Sequence, residues 1–359
     1  MPALPRPLRF LVWNTALLAA VAAVQPALAL TIDPTFDSSI TGATDAAQVE
    51  GAIDAAIGTI DSLYSNAGTV PILFTQAAGN FLGESETADV AASYSNYTSV
   101  LAAVSAAEPT NAVLATAIAN LPSGNMPGPG GSVLITTADA RVALGQSNVT
   151  GCFNSGGSFV SGCGQAFDGV VTLSTSQPLN FGTTPVAGQF SAINAMEHEI
   201  DEMLGGGGQG SVLNEVADCE NNPTTTTSPS LADCMANDNF ANDRGVLDLY
   251  RFSAPGVPSF TTNPDATSFF SVNGGVTDIV GFNQDSDGDF GDFVTNDNVQ
   301  SAFTDPDGFA PLNQSSPEFA MLESIGFDGV LPEPASMTVF ATGLLGLRVV
   351  RRRRVRKFQ

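Results

Sequence analysis
The sequence predicts an α/β fold, a twisted mixed sheet backed by helices, and three observations point to it. Stretches with apolar residues at helical spacing alternate along the chain with short β-branched runs. Between two compositionally distinct ends lies a body of about 300 residues, enough to bury a substantial core. The third observation is Gln189–Gly205, QFSAINAMEHEIDEMLG. There Phe190, Ile193, Met196, Ile200, Met203 and Leu204 make one apolar helical face broken only by Glu197. Gly205 stands where a helix C-terminal glycine is expected.

Taken in order, residues 1–29 read as a secretory signal. Arg6 and Arg9 precede the apolar stretch Leu11–Val24, and Ala27, Leu28 and Ala29 match a small-x-small cleavage site. Ala46–Leu63 has helical apolar spacing and follows Asp45, a cap residue. Thr69–Phe74 reads as a strand, and its Pro71 suggests an edge or strand-start position. Ser93–Ala107 and Asn111–Ala119 read as helices, Val133–Thr136 as a short strand and Arg141–Leu144 as a helical turn. Residues 124–131, GNMPGPGG, form a loop; no Lys-Ser/Thr follows, so it is not a phosphate cradle. Asp168–Ser174 is a well-marked strand. Residues 206–245 are rich in Gly, Asn, Asp and Thr and read as a long loop. Val246–Phe252 and Ser268–Val272 are expected strands, and Glu318–Ile325 the last helix of the body.

The chain carries 36 acidic and 12 basic residues, a net charge of −24. The bases crowd the two ends, leaving only Arg141, Arg244 and Arg251 between them. A body this acidic repels phosphate backbones and anionic lipid, which excludes nucleic-acid binding. Of the four cysteines, Cys152 lies near Cys163 and Cys219 near Cys234. In an exported chain that pattern favours two local disulfides that restrain loops.

The chemistry concentrates in one helix, which holds the only histidine of the chain. His198 and Glu202 are four residues apart, so they project one above the other on a second helix face. Glu199 lies about 100° round the helix and reaches the space in front of the pair. His198-Glu199-Ile200-Asp201-Glu202 resembles the HExxH helix of zinc proteases, with Glu202 in place of the second histidine. The resemblance implies a zincin-like metalloprotease domain over residues 30–331. Zinc would be held by His198 and Glu202, and Glu199 would be the general base that takes a proton from the attacking water. It also implies that Asp168–Ser174, one loop upstream, is the sheet-edge strand that pairs with an extended substrate. In the longer HExxHxxGxxH pattern Gly205 matches the glycine, but Gly208 occupies the place of the last histidine and offers no ligand. A third ligand must come from elsewhere. Asp248, a carboxylate in the apolar stretch DLYRF, is the first candidate, and Glu215 in Asn214–Asp218 the second; an ordinary carboxylate bonded to Arg251 or to backbone is the competing reading of Asp248.

Asn283–Asp289, NQDSDGD, carries the first half of a calcium loop, but Val294 stands at the twelfth position where a bidentate glutamate belongs. An EF-hand is therefore disfavoured, and a calcium-stabilised acidic turn stays open. No Gly-x-Ser-x-Gly elbow is present.

Residues 332–359 join Pro332, Glu333 and Pro334 to the apolar Ala335–Leu347 and then to Arg351–Arg354, Arg356 and Lys357. This resembles the PEP-CTERM sorting tail of Gram-negative bacteria. The resemblance implies export through the Sec translocon, transient inner-membrane anchoring by the C-terminal helix, and removal by an exosortase-type enzyme, leaving the protein at the cell surface or released. A lasting anchor is the alternative, although the apolar stretch is short against the roughly 20 residues a span needs. HEIDEMLGGG, DLYRFSAPGVPSF, FFSVNGGVTDIVGFN, GDFGDF and AMLESIGF together resemble exported PEP-CTERM-associated zinc metalloproteases. That family implies a metallopeptidase acting on proteins or peptides; an inactive zincin-like surface or extracellular-matrix protein is the alternative.

Overall fold
The structure is a computed structural model that describes residues 29–122, 131–147, 149, 151–160, 167–221 and 242–330. The expected tail, Cys163, Cys234 and all but the last residue of the expected signal lie outside the described residues. Among the described residues no helix is long and apolar enough to cross a membrane.

The fold is mixed α/β, as expected. Its main sheet joins β1 (Leu30–Phe36), β2 (Gly68–Ala77), β3 (Gly83–Thr87) and β8 (Gly169–Ser174) in the order β1-β2-β8-β3. β1, β2 and β8 are parallel, while β3 runs antiparallel along the β8 edge. The strand Asp168–Ser174 is thus interior rather than the edge. Its composition explains why: five of the six residues of β8 are buried, as a strand covered on both faces and paired on both sides requires. The edge is β3, GESET, whose polar alternation suits a strand with one side left open.

Pro71 likewise sits inside the sheet, not at an edge. β8 begins to pair with β2 only at Ile72, opposite Gly169, while the Pro71 carbonyl accepts from the Asp168 backbone N–H at 2.8 Å. The missing N–H therefore falls just before the ladder starts and leaves no bond unmade.

After the single-turn α1 (Ser38–Thr41), α2 spans Ala46–Leu63, the range its periodicity predicts. Val49, Ala52, Ile53, Ala56, Ile57, Ile60 and Leu63 form its buried stripe, packed on β1 and on α5 (Ala192–Met203). Burying each large aliphatic side chain contributes about 1.5–3 kcal/mol. The other two expected helices begin one residue later than read, at α3 (Tyr94–Ala107) and α4 (Ala112–Ala119). Ser93 and Asn111 serve as their N-caps, accepting from the N–H groups of Asn96 and Leu114.

A second sheet places β5 (Val133–Thr136) between β4 (Asp89–Ala92) and Arg244–Gly245, and β6 (Cys152–Phe153) pairs with β7 (Phe159–Val160). The expected turn after β5 is a π-helical turn, Asp139–Ala143. Further on, the expected strand Val246–Phe252 splits into a 3-10 turn, Leu247–Tyr250, and a strand, Arg251–Ala254. That strand joins Val257–Pro258, Phe269–Phe270 and Val280–Gly281 in a small antiparallel sheet. α6 (Leu213–Asn221) occupies the start of the expected long loop, and α7 (Pro317–Ile325) closes the described chain against α4.

Candidate metal centre
α5 carries the site, and both its ends are locally specified. The Ser191 hydroxyl accepts from the Asn194 N–H at 3.1 Å, and the chain stops in a Schellman turn. There the Gly206 N–H donates to the Asp201 carbonyl and the Gly205 N–H to the Glu202 carbonyl, with Gly205 at φ +95°. His198, Glu199 and Glu202 then face a cleft of about 1270 Å³ whose walls include Gly83–Ser85 of β3 and, opposite, Phe303 and Phe309. Edge strand and helix touch at two points. The Ser85 hydroxyl donates to Glu202 Oε2 at 2.7 Å, and Glu199 lies on Gly83, where an added Cβ would come within 2.5 Å of Oε1.

The third wall comes from Asn283–Asp292, a segment with almost no regular structure that is held by buried polar bonds instead. The Asn283 amide donates to the carbonyls of Asp285, Gly288 and Asp289. Arg251, 1% exposed, donates to the Phe290 and Asn283 carbonyls and lies over the Phe282 ring. Gly291 packs on the turn after α5 so closely that an added Cβ would sit 1.8 Å from the Gly207 carbonyl oxygen. The glycine run after HEIDEML and the glycine of GDFGDF therefore serve one purpose, backbone-to-backbone approach.

That approach brings Asp289 and Asp292 to the histidine. His198 Nε2 is 3.4 Å from Asp292 Oδ2 and 3.7 Å from Glu202 Oε1. Donors bound at about 2.0–2.2 Å to one tetrahedral ion stand about 3.4 Å apart, so each carboxylate oxygen stands near chelating distance of the imidazole nitrogen. Each is held from behind. His198 Nδ1 faces the Val299 carbonyl at 3.0 Å, so the ring donates there and turns Nε2 to the carboxylates. Glu202 Oε1 accepts from the Gly208 N–H at 2.8 Å, and Asp292 Oδ1 from the Gln300 amide at 2.9 Å. Asp289 Oδ1 accepts from the Asn214 amide at 2.6 Å. His198, Glu199 and Glu202 offer one converging triad and Glu202, Asp289 and Asp292 a second, each with ligand atoms within 4.8 Å of one another.

The electrostatics are those of crowded acids around one base. Burial pulls the His198 imidazole down, but Asp292, Glu202 and Glu199 outweigh it and hold its pKa well above the usual histidine range. Burial would raise Glu202, yet His198, Ser85 and the Gly208 N–H together bring it below its ordinary value. Burial and then neighbouring carboxylates push Glu199 well up, and push Asp289 to about 8. Burial and crowding thus favour the protonated forms of Glu199 and Asp289, and a divalent cation would draw both back toward ionisation.

Asp248 does not join this set. Its Oδ1 accepts from the Ser211 hydroxyl at 2.7 Å, its Oδ2 from the N–H groups of Val212 and Gly245 at 3.1 and 2.8 Å, and Arg251 balances its charge. The structure places the expected ligand outside both converging groups, and its three hydrogen bonds tie the turn before Arg251 to the turn before α6. Asp292, not Asp248, is the carboxylate the structure brings beside His198. Glu215 lies on α6, also outside both triads. The residue that opens the way is Gly208, where an added Cβ would meet Asp289 Oδ2 and Glu202 Oε1 at 2.7 Å each. The absent last histidine is thus replaced in space by carboxylates from a distant loop. The GDFGDF motif was the available signal, because a buried Asp beside an obligate Gly marks a designed close approach. Nothing in GESET marks Ser85 as the partner of Glu202.

In the expected calcium turn, Asn283 Oδ1 accepts from the Asp285 N–H and Asp285 Oδ1 from the Asp287 N–H. Those oxygens close local turns, and of the turn's residues only Asp289 belongs to a converging triad. Cys152 and Cys219 are buried in the core, and their expected partners lie outside the described residues. Comparison of the chain with protein-family models, curated proteins and solved structures gave no significant match.

Proposed function
We propose that the protein is an exported metallopeptidase with a zincin-like core. The observation that carries this reading is that Asp292 Oδ2 and Glu202 Oε1 lie 3.4 and 3.7 Å from His198 Nε2 in the cleft. These residues fit zinc, which accepts imidazole and carboxylate donors and in hydrolytic sites uses three protein ligands with one position open. When bound, the ion supplies Lewis acidity and a more acidic water. The chain's own groups do the rest. Glu199, adjacent to the triad and facing the cleft, takes a proton from the attacking water and delivers it to the leaving amine. The open side of β3, where Gln209 already donates to the Ser85 carbonyl at 3.2 Å, would offer its remaining backbone groups to an extended peptide and align its carbonyl over the triad. The signal read in residues 1–29 and the tail read in residues 332–359 support export with exosortase-type processing.

The test is metal stoichiometry by mass spectrometry on the purified full chain and on His198→Ala, Glu202→Ala and Asp292→Ala. Near one zinc in the parent and none in the variants is expected, together with peptide hydrolysis that Glu199→Gln abolishes while keeping its zinc. No zinc under saturating conditions refutes the enzyme reading. It would favour an inactive zincin-like surface or matrix protein, for which one observation already speaks: a protonated His198 is satisfied by Glu202, Asp292 and Val299 without any metal.

A further inference from the structure
Glu318 lies outside the cleft, on α7, and is 1% exposed. Its Oε1 accepts from the Gln300 backbone N–H at 2.9 Å. That N–H belongs to the same peptide group as the Val299 carbonyl, and the carbonyl receives His198 Nδ1 at 3.0 Å on its other side. A carboxylate, one planar peptide group and the imidazole therefore form a single hydrogen-bonded line. A trans peptide sends its N–H and C=O in opposite directions, so Glu318 pulls on one end exactly as His198 loads the other, and each bond polarises the next. The residue that contributes the N–H also carries the side chain that orients Asp292, since Gln300 Nε2 donates to Asp292 Oδ1 at 2.9 Å. Gln300 is wholly buried, and its amide nitrogen lies where an added Cβ at Gly207 would come within 2.0 Å, so it has no room to swing away.

We propose that Glu318 is a positioning residue for the candidate metal centre, acting through the Val299–Gln300 peptide to fix the His198 tautomer and the Asp292 rotamer. It would play the part that a carboxylate hydrogen-bonded directly to a ligating histidine plays elsewhere, with one peptide group interposed. The inference rests on the metal reading above.

Cobalt(II) is the probe, because its visible spectrum reports ligand geometry directly and a role in stability alone would not shift it. Binding is titrated on the full-length protein in competition with a chromophoric chelator, for the parent, Glu318→Ala, Glu318→Gln and Gln300→Ala. Glu318→Ala is expected to lose about 10–100-fold in affinity with an altered spectrum. Glu318→Gln keeps an acceptor for the Gln300 N–H and is expected to restore both to near parent values. Gln300→Ala leaves the backbone line intact and frees only Asp292, so it is expected to change the spectrum even if Glu318→Ala fails to fold. Parent-like affinity and spectrum in Glu318→Ala overturn the inference and leave the metal site standing; where Glu318→Ala does not fold, loss of affinity in Glu318→Gln overturns it instead. Equal loss in Glu318→Ala and Glu318→Gln also overturns it, since charge rather than position would then be at work. A parent that binds no cobalt brings down the metal reading and this inference together.

Discussion

Replacing Gly208 by alanine separates a chelating site from a cluster of acids that merely share a cavity. Gly208 is not in the left-handed region, so alanine adopts its backbone without strain, and its N–H still reaches Glu202 Oε1. The new methyl would stand 2.7 Å from Asp289 Oδ2 and 2.7 Å from Glu202 Oε1, where ordinary contact begins at 3.4 Å. Both oxygens end flexible side chains, so they yield rather than the fold. Each must retreat by roughly 0.7 Å, more than the half-ångström tolerance within which a ligand set keeps its geometry. Gly208→Ala is therefore expected to weaken zinc binding by about 10–100-fold, or about 1.4–2.8 kcal/mol, with little change in the metal-free melting temperature. Chelator competition measures the affinity and calorimetry the melting temperature. Unchanged zinc affinity in the folded variant would refute the placement of Glu202 at the ion.

Asp248→Asn should do the reverse: its amide would face donors now bound to a carboxylate, costing about 2–3 kcal/mol in urea unfolding while zinc per folded molecule stays unchanged. Saturating zinc, at about 100 times its dissociation constant, should stabilise the parent by about 2.7 kcal/mol, and His198→Ala should show no such gain in a thermal melt. Burial raises the Asp168 carboxyl to about 6 against the pull of Arg141. The native state therefore holds that proton where the unfolded chain has lost it, so the contribution is complete below about pH 4 and is lost as pH rises through about 6. Urea midpoints at pH 4.5 and 7 should show the parent gaining on acidification and Asp168→Asn gaining less; an equal gain in both would remove Asp168 as the cause.

Much of the scaffold is written locally. α2 matches its periodicity residue for residue, because an amphipathic stripe and its end signals need no distant partner to be recognised. The helix of His198 was legible in its middle and its glycine stop, but it starts only at Ala192: Phe190, read as part of its apolar face, pairs with Leu179 in a short strand. Where sheet neighbours mattered, local reading failed. β8 was taken for an edge, and Pro71 for an edge or strand-start position, because strand order depends on which segments pair, and neighbours as distant in sequence as β2 and β8 leave no local trace of it.

The same division runs through the site. By itself the sequence determined that one histidine and two glutamates share a helix surface, that the body is strongly acidic, and that its ends differ from it. Only the tertiary structure decided which distant carboxylate stands beside that histidine. Asp248 looked available in an apolar stretch and proved to be occupied by three donors, whereas Asp292 lies 94 positions after His198 and is brought beside it. The physical reason is contact between backbones: Gly291 on Gly207, with Arg251 and Asn283 pinning the loop from within, sets two carboxylates beside the helix of His198. A contact made through the absence of side chains leaves no periodicity in the sequence to read.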